Sequence, residues 1–218
     1  MSVVQIVNRG GSRYLGIGRI NSIDEGSPQA EQYQLHYDDC RRALLEEHWW
    51  IFATKQQALA MVENDRPEDW RYKYELPAPE VFVEIQWINE PSIAIALERA
   101  GRNQDADRET RGRFVYTDVE NAYVQFTENA SDTTFFPQYF KDTLSAMVAA
   151  ASCMSLTESV QRLRFAEEES ERLKDIAVER DERNRPPVDM PESEYIESRD
   201  GVFSPYKDHL YSNYFRGR

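Results

Sequence analysis

The chain has 218 residues, of which 40% are hydrophobic and 12% aromatic, and its net charge at pH 7 is −13. This length and composition predict a folded protein with one substantial core or two small domains, and the acidic charge argues against a protein whose main task is to grip nucleic acid. No apolar run is long enough to cross a membrane, and the first residues lack the basic region and apolar core of a signal peptide. We therefore expect no membrane partner.

Two helices are predicted at the start of the chain. The first spans residues 3–15, is weakened by Gly10-Gly11 and ends at Gly16-Ile17-Gly18. After a linker over residues 19–26, Ser27 is a good N-cap and Pro28 suits the first helical position. Apolar residues then recur every three or four positions, which predicts one apolar helix face: Ala30, Tyr33, Tyr37, Cys40 and Leu44.

An aromatic segment, His48-Trp49-Trp50-Ile51-Phe52, follows the second helix. Five bulky residues in a row predict a strand or a buried corner between a helical layer and a β layer. We assign the residues of this structural corner to the aromatic segment and to the alternating segment that comes after it: His48, Trp50, Phe52, Trp70, Tyr72, Tyr74 and Leu76. We expect these residues to be scaffold, with His48 as a structural histidine.

The middle of the chain is predicted to be rich in strands. Apolar and polar residues alternate over residues 70–76 and 81–87, which is typical of half-buried strands, and Ile93, Ile95 and Leu97 suggest a third short strand. Residues 98–112 are charged and poor in apolar side chains, so we expect an exposed loop there. Two short segments, 114–117 and 122–126, flank four turn residues, 118–121, and predict a hairpin.

Helical spacing returns at Phe136-Pro137 and continues through a stripe made of Phe140, Leu144, Met147 and Ala151. Ser155 and Glu158 have the spacing of a capping box and predict the start of a long helix that reaches about Asn184. The dense charge on the outer faces of that helix indicates solvated surface.

The last segment, residues 185–218, shows neither helical nor strand periodicity, and Pro186-Pro187 ends the helix before it. Disordered tails are normally poor in aromatic residues, whereas this one holds six. We therefore expect the tail to order against a partner or a neighbouring subunit. The predicted partner-binding residues are Tyr195, Phe203, Tyr206, Tyr211, Tyr214, Phe215, Arg216 and Arg218.

Together these segments predict an α+β fold that is mainly α: an antiparallel helical bundle with a β-rich insertion and an extended C-terminal tail. The N-terminal helices of the bundle occupy residues 1–49 and the β-rich insertion occupies residues 50–135. The C-terminal helical hairpin occupies residues 136–184, and the tail for partner docking occupies residues 185–218.

No pattern in the sequence points to catalysis, a cofactor or a metal. The three histidines are scattered, and no cysteine or histidine cluster has metal-ligand spacing. Carboxylate pairs such as Asp38-Asp39 are consecutive on a helix, where side chains diverge by about 100° and do not converge on a substrate. Cys40 and Cys153 fall on apolar stripes, which favours buried thiols in a reducing cytosol.

Several motifs, taken in order, resemble the head-to-tail adaptor family of short-tailed bacteriophages, also called tail tubular protein A. The segment Arg19-Ile20-Asn21-Ser22-Ile23-Asp24-Glu25-Gly26-Ser27 resembles the family's Arg-Ile-x-Ser-Leu-Asp linker before the second helix. Tyr37-Asp38, Arg41-Arg42-x-Leu44-Leu45 and His48-x-Trp50-x-Phe52-Ala53 resemble the helix that ends in its His-Pro-Trp-Asn-Phe-Ala motif. Trp70-x-Tyr72-x-Tyr74-x-Leu76-Pro77 resembles its aromatic strand. Trp49 departs from the family's proline, and Gly10-Gly11 interrupts a usually cleaner first helix.

The resemblance covers about residues 3–184 and implies a non-enzymatic virion protein of the head-tail junction, made in the host cytoplasm. Such adaptors form a twelve-subunit ring with portal protein on one side and tail nozzle protein on the other, and DNA crosses the lumen without specific binding. An acidic ring fits that role because it repels phosphates. Two alternatives remain: a standalone acidic protein-binding module or DNA-mimic decoy, and an enzyme that uses His48.

Overall fold

The structure is a computed structural model that describes residues 1–99 and 104–185. Of these residues, 48% are helical and 19% lie in strands, so the prediction of a mixed, mainly helical fold is confirmed. The described residues 1–90 and 105–185 belong to one compact unit. The helix Pro91–Arg99 belongs to a second unit and is described by itself. None of the described helices combines the length and the apolar composition needed to cross a membrane.

Five α-helices are present in the described residues: α1 (Val3–Gly10), α2 (Pro28–Glu46), α3 (Pro91–Arg99), α4 (Gln138–Thr157) and α5 (Val160–Arg183). Helix α1 starts at a capping box formed by Ser2 and Gln5 and continues into a π-helical turn, Gly11–Leu15. Helix α2 starts as predicted, with the Ser27 hydroxyl accepting a hydrogen bond from the Ala30 N–H. Helix α4 packs against α1, α2 and α5 and so lies at the centre of the helical layer.

The α-helical hydrogen bonding of α1 ends at Gly10-Gly11, as predicted, but the chain stays helical beyond them as the π-helical turn. A Cβ atom on Gly10 would lie 2.1 Å from the carbonyl oxygen of Ser145, and one on Gly11 would lie 2.1 Å from the Tyr33 hydroxyl oxygen. The two glycines therefore allow the chain to approach α4 and α2 more closely than any other residue could. The helical segment ends where predicted, because Gly16 adopts a left-handed conformation with φ +62°.

The start of the last helix differs from the prediction. Ser155 lies inside α4, and Glu158 is the left-handed residue that ends α4, with φ 51°. The N-cap of α5 is Ser159, whose hydroxyl accepts a hydrogen bond from the Arg162 N–H. The predicted capping box is wrong because α4 continues through the spacing that resembled one.

The described strands are β1 (Thr54–Ala58), β2 (Ala60–Val62), β3 (Tyr72–Glu75), β4 (Phe82–Asn89), β5 (Arg108–Arg111), β6 (Phe114–Thr117) and β7 (Tyr123–Glu128). They form two antiparallel sheets, one in the order β1-β7-β4 and one in the order β2-β3-β6-β5. Buried residues from both sheets share one hydrophobic cluster, to which Tyr74, Val115, Val124 and Phe126 belong. The aromatic alternation that predicted strands near residues 70–76 and 81–87 thus marks strands of two different sheets.

Three predictions for this region are wrong. Residues 114–117 and 122–126 do form strands, but β6 and β7 belong to different sheets, and the segment between them is a crossover that contains Asn121 at φ 55°. The true hairpin joins β5 to β6 through a turn at Gly112, so part of the predicted loop 98–112 is a strand. Ile93 and Ile95 lie in α3 and are exposed while Ala94 is buried, so their alternation does not reflect a buried strand face.

The main core lies in the helical layer. Its cluster of buried residues includes Tyr33 and Leu44 from α2, Phe140 and Leu144 from α4, and Trp50 from the segment that follows α2. A smaller cluster joins the π-helical turn to α4 and α5. The helical layer is therefore packed around the residues that follow the C-terminal end of α2.

Candidate functional site

The aromatic segment after α2 forms a buried corner and not a strand. Trp50 is extended and fully buried, and a single 3-10 turn, Ile51–Ala53, follows it. The indole N–H of Trp50 donates a 2.7 Å hydrogen bond to the carbonyl oxygen of Leu44 in the last turns of α2. Its ring meets Phe140 edge-on, with 5.2 Å between centroids, and stacks on Tyr139. Trp50 therefore fixes the direction in which the chain leaves α2 relative to α4.

A buried carboxylate holds the same corner against α5. Asp181 is fully buried, and one of its carboxylate oxygens lies 3.2 Å from Nε2 of His48 and accepts a 3.1 Å hydrogen bond from the Ile51 N–H. Its other oxygen accepts a 2.7 Å hydrogen bond from the Tyr139 hydroxyl. The burial of Tyr139, and then its bond to Asp181, raise the pKa of that phenol. Both carboxylate oxygens are thus occupied by donors from the corner and from α4.

Asp181 escaped the sequence prediction, which treated the charges of α5 as solvated surface. Its position does carry a signal, because Asp181 follows the apolar residues Leu173 and Ala177 at spacings of four. A carboxylate that continues an apolar helix stripe indicates a buried partner, since a buried charge is stable only when it is hydrogen-bonded. The partner could not be identified from the sequence, because His48 lies 133 residues away.

A buried arginine connects the helical layer to the first sheet. Arg41 is 6% exposed, and its guanidinium donates hydrogen bonds to the Asn129 side chain at 2.8 Å and to the Ala130 carbonyl at 2.6 Å, immediately after β7. Its Nε also donates to Asp38 at 3.2 Å. This contact fixes the start of the segment that leads from the sheet back to α4.

The seven residues assigned to the structural corner lie in two places. His48, Trp50 and Phe52 surround the helical core, where the ring of Phe52 meets Phe140 with 4.9 Å between centroids. The other four lie in the β region: Tyr72, Tyr74 and Leu76 line the core shared by the two sheets, and Trp70 donates a hydrogen bond to Glu109. The structure therefore does not bring the two halves of the set together in one cluster.

Several large apolar side chains remain exposed in the described residues. Phe135 is the most exposed aromatic of these, at 72%, and lies beside Phe52 and Ala130 at a groove of about 470 Å³. Leu35 on α2 and Phe165 on α5 are also exposed. Single exposed apolar side chains are common on protein surfaces, so these three positions do not by themselves define an interface. The predicted partner-binding residues of the tail, 195–218, lie outside the described residues.

The described part of the chain contains no group of three or more histidine, cysteine or acidic side chains placed to hold a metal ion. Cys40 and Cys153 are both free thiols, and burial raises the pKa of Cys40 to about 11. A thiol with such a pKa is protonated and unreactive at neutral pH.

No known family model and no curated protein matches the chain. The functional interpretation therefore rests on the motifs and on the contacts described above.

Proposed function

We propose that the protein is a structural component of a short-tailed bacteriophage virion, a ring adaptor that connects the portal to the tail nozzle. The observation that carries this proposal is the position of the motifs that resemble the adaptor family. Arg41, Trp50 and Phe52 belong to those motifs, and they are the residues that orient α2 against α4 and the first sheet. A motif whose residues set the geometry between layers is expected where a family shares a scaffold.

The linker motif supports the same interpretation. Ile20 is buried, and its backbone N–H and C=O both pair with the side chain of Asn8, at 2.8 Å each. Within the same motif, the Glu25 carboxylate accepts hydrogen bonds from the backbone N–H groups of Asn21 and Ser22 and from the Ser27 hydroxyl. The linker therefore has a defined path, set by residues that the resemblance includes.

The helical layer provides the bundle of the proposed adaptor. We infer that α1, α2, α4 and α5 form its antiparallel bundle, and the central position of α4 among the other three supports this arrangement. In a twelve-subunit ring the exposed apolar side chains would contact neighbouring copies, the portal or the nozzle. The net charge of −13 would keep the phosphates of passing DNA away from the wall.

The direct test is to mix the purified protein with portal rings and to image the mixture by electron microscopy. We expect a second ring of density on one face of the portal, with twelvefold rotational symmetry. Portal rings that stay bare at every protein concentration would disprove the proposal. Binding to an unrelated protein without any binding to portal would favour the standalone acidic module.

The tail is tested separately, by a chain that ends at Arg185. This truncation keeps the bond from the Arg185 guanidinium to the Trp49 carbonyl and removes the aromatic tail. We expect the shortened protein to stay folded and to lose binding to portal rings. A full-length control with the tail aromatics replaced by serine should fail in the same way. Normal portal binding by either variant would show that the tail does not dock.

A further inference from the structure

An arginine-lined pocket lies on the surface of the helical layer, although the chain as a whole is strongly acidic. Its volume is about 460 Å³, and no carboxylate lines it. All of its side chains can donate hydrogen bonds: Gln5, Asn8, Arg9, Ser12, Arg13 and Arg19. We call this surface the arginine pocket.

Hydrogen bonds and an ion pair hold part of the arginine pocket in place. Asn8 binds the backbone of Ile20 through both of its side-chain groups, and this contact holds Arg19 opposite the first helix. Arg9 is held by Asp142 at 2.7 Å, and the guanidinium of Arg13 lies over the Tyr14 ring. Arg13 and Arg19 are exposed and form no ion pair among the residues that the structure describes. The pocket therefore presents two guanidinium groups without an ion pair, Arg13 near Glu169 and Arg19, beside a third that Asp142 holds in place.

An acidic ridge on α5 has the opposite character. A depression of about 300 Å³ lies there, lined by Val178, by Lys174 as its one cation, and by four carboxylates: Glu47 at the end of α2, and Asp175, Glu179 and Glu182 on α5. The three carboxylates on α5 are spaced four and three residues apart and so share one face of the helix. Lys174 pairs with Glu47 and Glu171, and Glu179 pairs with Arg183. Asp175 and Glu182 have no ion pair in the described ranges, and both are exposed.

We propose that the arginine pocket of one copy of this chain binds the acidic ridge of the next copy. Two different, complementary patches on one chain make a head-to-tail contact, which is the kind of interface that closes into a ring. Arginine suits this contact because its planar guanidinium can bind a carboxylate through two hydrogen bonds. The inference rests on the proposed function, since it names the contact between ring subunits.

Charge favours a second copy over nucleic acid as the occupant of the pocket. A chain with a net charge of −13 repels DNA at long range, and three arginines offset only a small part of that repulsion. The same net charge makes copies of the chain repel one another. Opposite charges at the contact offset part of that repulsion, and the arginine pocket supplies a cationic surface for the carboxylates of the ridge.

The test measures self-association of the full chain by sedimentation velocity over a range of protein and salt concentrations. We expect the mass of wild type to rise with protein concentration at low salt and to fall as salt screens the contact. Arg13→Glu with Arg19→Glu should weaken association by roughly 100-fold or more, because like charges then face each other. Asp175→Arg with Glu182→Arg should weaken it equally.

Rescue makes the test specific. An equimolar mixture of the two reversed variants should associate again, because each pocket then meets a ridge of opposite charge, and a chain with all four substitutions should do the same. Rescue also shows that the variants are folded. The matched control for pocket reversal is Arg71→Glu with Arg164→Glu, which lowers the net charge by the same amount as pocket reversal does, at exposed positions outside both patches, and should leave association within a few fold of wild type.

Three outcomes would overturn the proposal: wild type stays a single copy at low salt up to its solubility limit, pocket reversal leaves association unchanged, or reversed partners fail to rescue one another. Fluorescence anisotropy with a duplex DNA oligonucleotide tests the other occupant. DNA binding that requires Arg13 and Arg19, with self-association unaffected, would assign the pocket to nucleic acid. Portal binding without this contact would refute only the contact, and salt-dependent association without portal binding would refute only the adaptor function.

Discussion

The helical layer and the β region each contain a carboxylate that holds neighbouring elements together, and the two differ in solvation. Asp181 on α5 is fully buried and accepts hydrogen bonds from the corner and from Tyr139. Glu109 on β5 has a side chain that is 34% exposed, and it binds Arg66 at 2.8 Å and Arg111 at 2.5 Å. One network is closed to water and the other is open to it.

The two carboxylates should therefore differ in how much their removal destabilises the protein. A buried carboxylate cannot be replaced by water, so removal of Asp181 leaves its donors without an acceptor and costs the full desolvation of each. The exposed network is screened by solvent, and its ion pairs contribute little to stability. We therefore expect removal of the buried carboxylate to destabilise the protein much more than removal of the exposed one.

The largest effect is expected for Trp50→Ala. The substitution removes a fully buried ring and its hydrogen bond to Leu44, so the free energy of unfolding should fall by about 3–5 kcal/mol. Chemical denaturation followed by circular dichroism measures it. Trp49→Ala is the control in the same segment. Because Trp49 is 40% exposed, its removal should lower the free energy of unfolding much less. Equal losses for the two variants would mean that the corner is not the centre of the helical core.

The next effect is expected for Asp181→Asn. An amide has one acceptor oxygen where the carboxylate has two, so one group of donors loses its partner and stability should fall by about 1–3 kcal/mol. Asp175→Asn on the same helix is the control, since Asp175 is exposed. If thermal unfolding shows the two variants to be equally stable, the hydrogen bonds to Asp181 do not stabilise the corner.

A smaller effect, with a defined pH dependence, is expected for Glu109→Gln. Hydrogen bonds from Arg66, and then from Arg111, lower the pKa of Glu109 from its usual 4.5 to about 2. The stabilisation by this carboxylate is therefore complete above pH 4.5 and is lost as the pH falls towards 2. When unfolding is measured over this pH range, the free energies of unfolding of wild type and Glu109→Gln should converge at the acid end. A difference that grows as the pH falls would contradict the assignment.

The smallest effect at neutral pH is expected for Tyr33→Phe. The Tyr33 hydroxyl is buried and has no hydrogen-bond partner in the described residues, so its removal should leave stability unchanged or slightly raised. Burial raises the pKa of Tyr33 to about 12, so wild type should lose stability above pH 10 while the variant loses less. Tyr139→Phe is the control, because it removes the bond to Asp181 and should destabilise the protein. Similar losses for the two variants would contradict this account.

Local signals in the sequence were sufficient for the start of α2, but not for α3, which the alternation of Ile93 and Ile95 predicted as a strand. Ser27 and Pro28 mark the start of α2 because capping depends on residues three or four positions apart. The same argument failed at Ser155, since a capping spacing inside a long helix cannot show that the helix continues. Glu158 in a left-handed conformation ends α4 without glycine, which no sequence pattern at that position indicated.

Strand pairing and the buried polar contacts could not be predicted from local patterns. Alternation places Val124 in a strand, but only the fold pairs it with Gln57 and Ile88 and places β6 in the other sheet. The contacts of Arg41 with residues about 90 positions away are of the same kind. The sequence predicted Trp50 and Phe52 as scaffold, whereas the arginine pocket combines side chains from a helix, a turn and a linker that no motif connects.

Gly10 is a helical glycine whose replacement by alanine should not stabilise the protein. Replacing glycine by alanine inside a helix usually stabilises the fold by about 0.4–1 kcal/mol, because the unfolded chain loses conformational entropy. Here the added methyl group would lie 2.1 Å from the Ser145 carbonyl oxygen and would force α1 away from α4. The helix therefore keeps a residue with poor helical propensity, and attempts to raise the thermal tolerance of this protein must start from other positions.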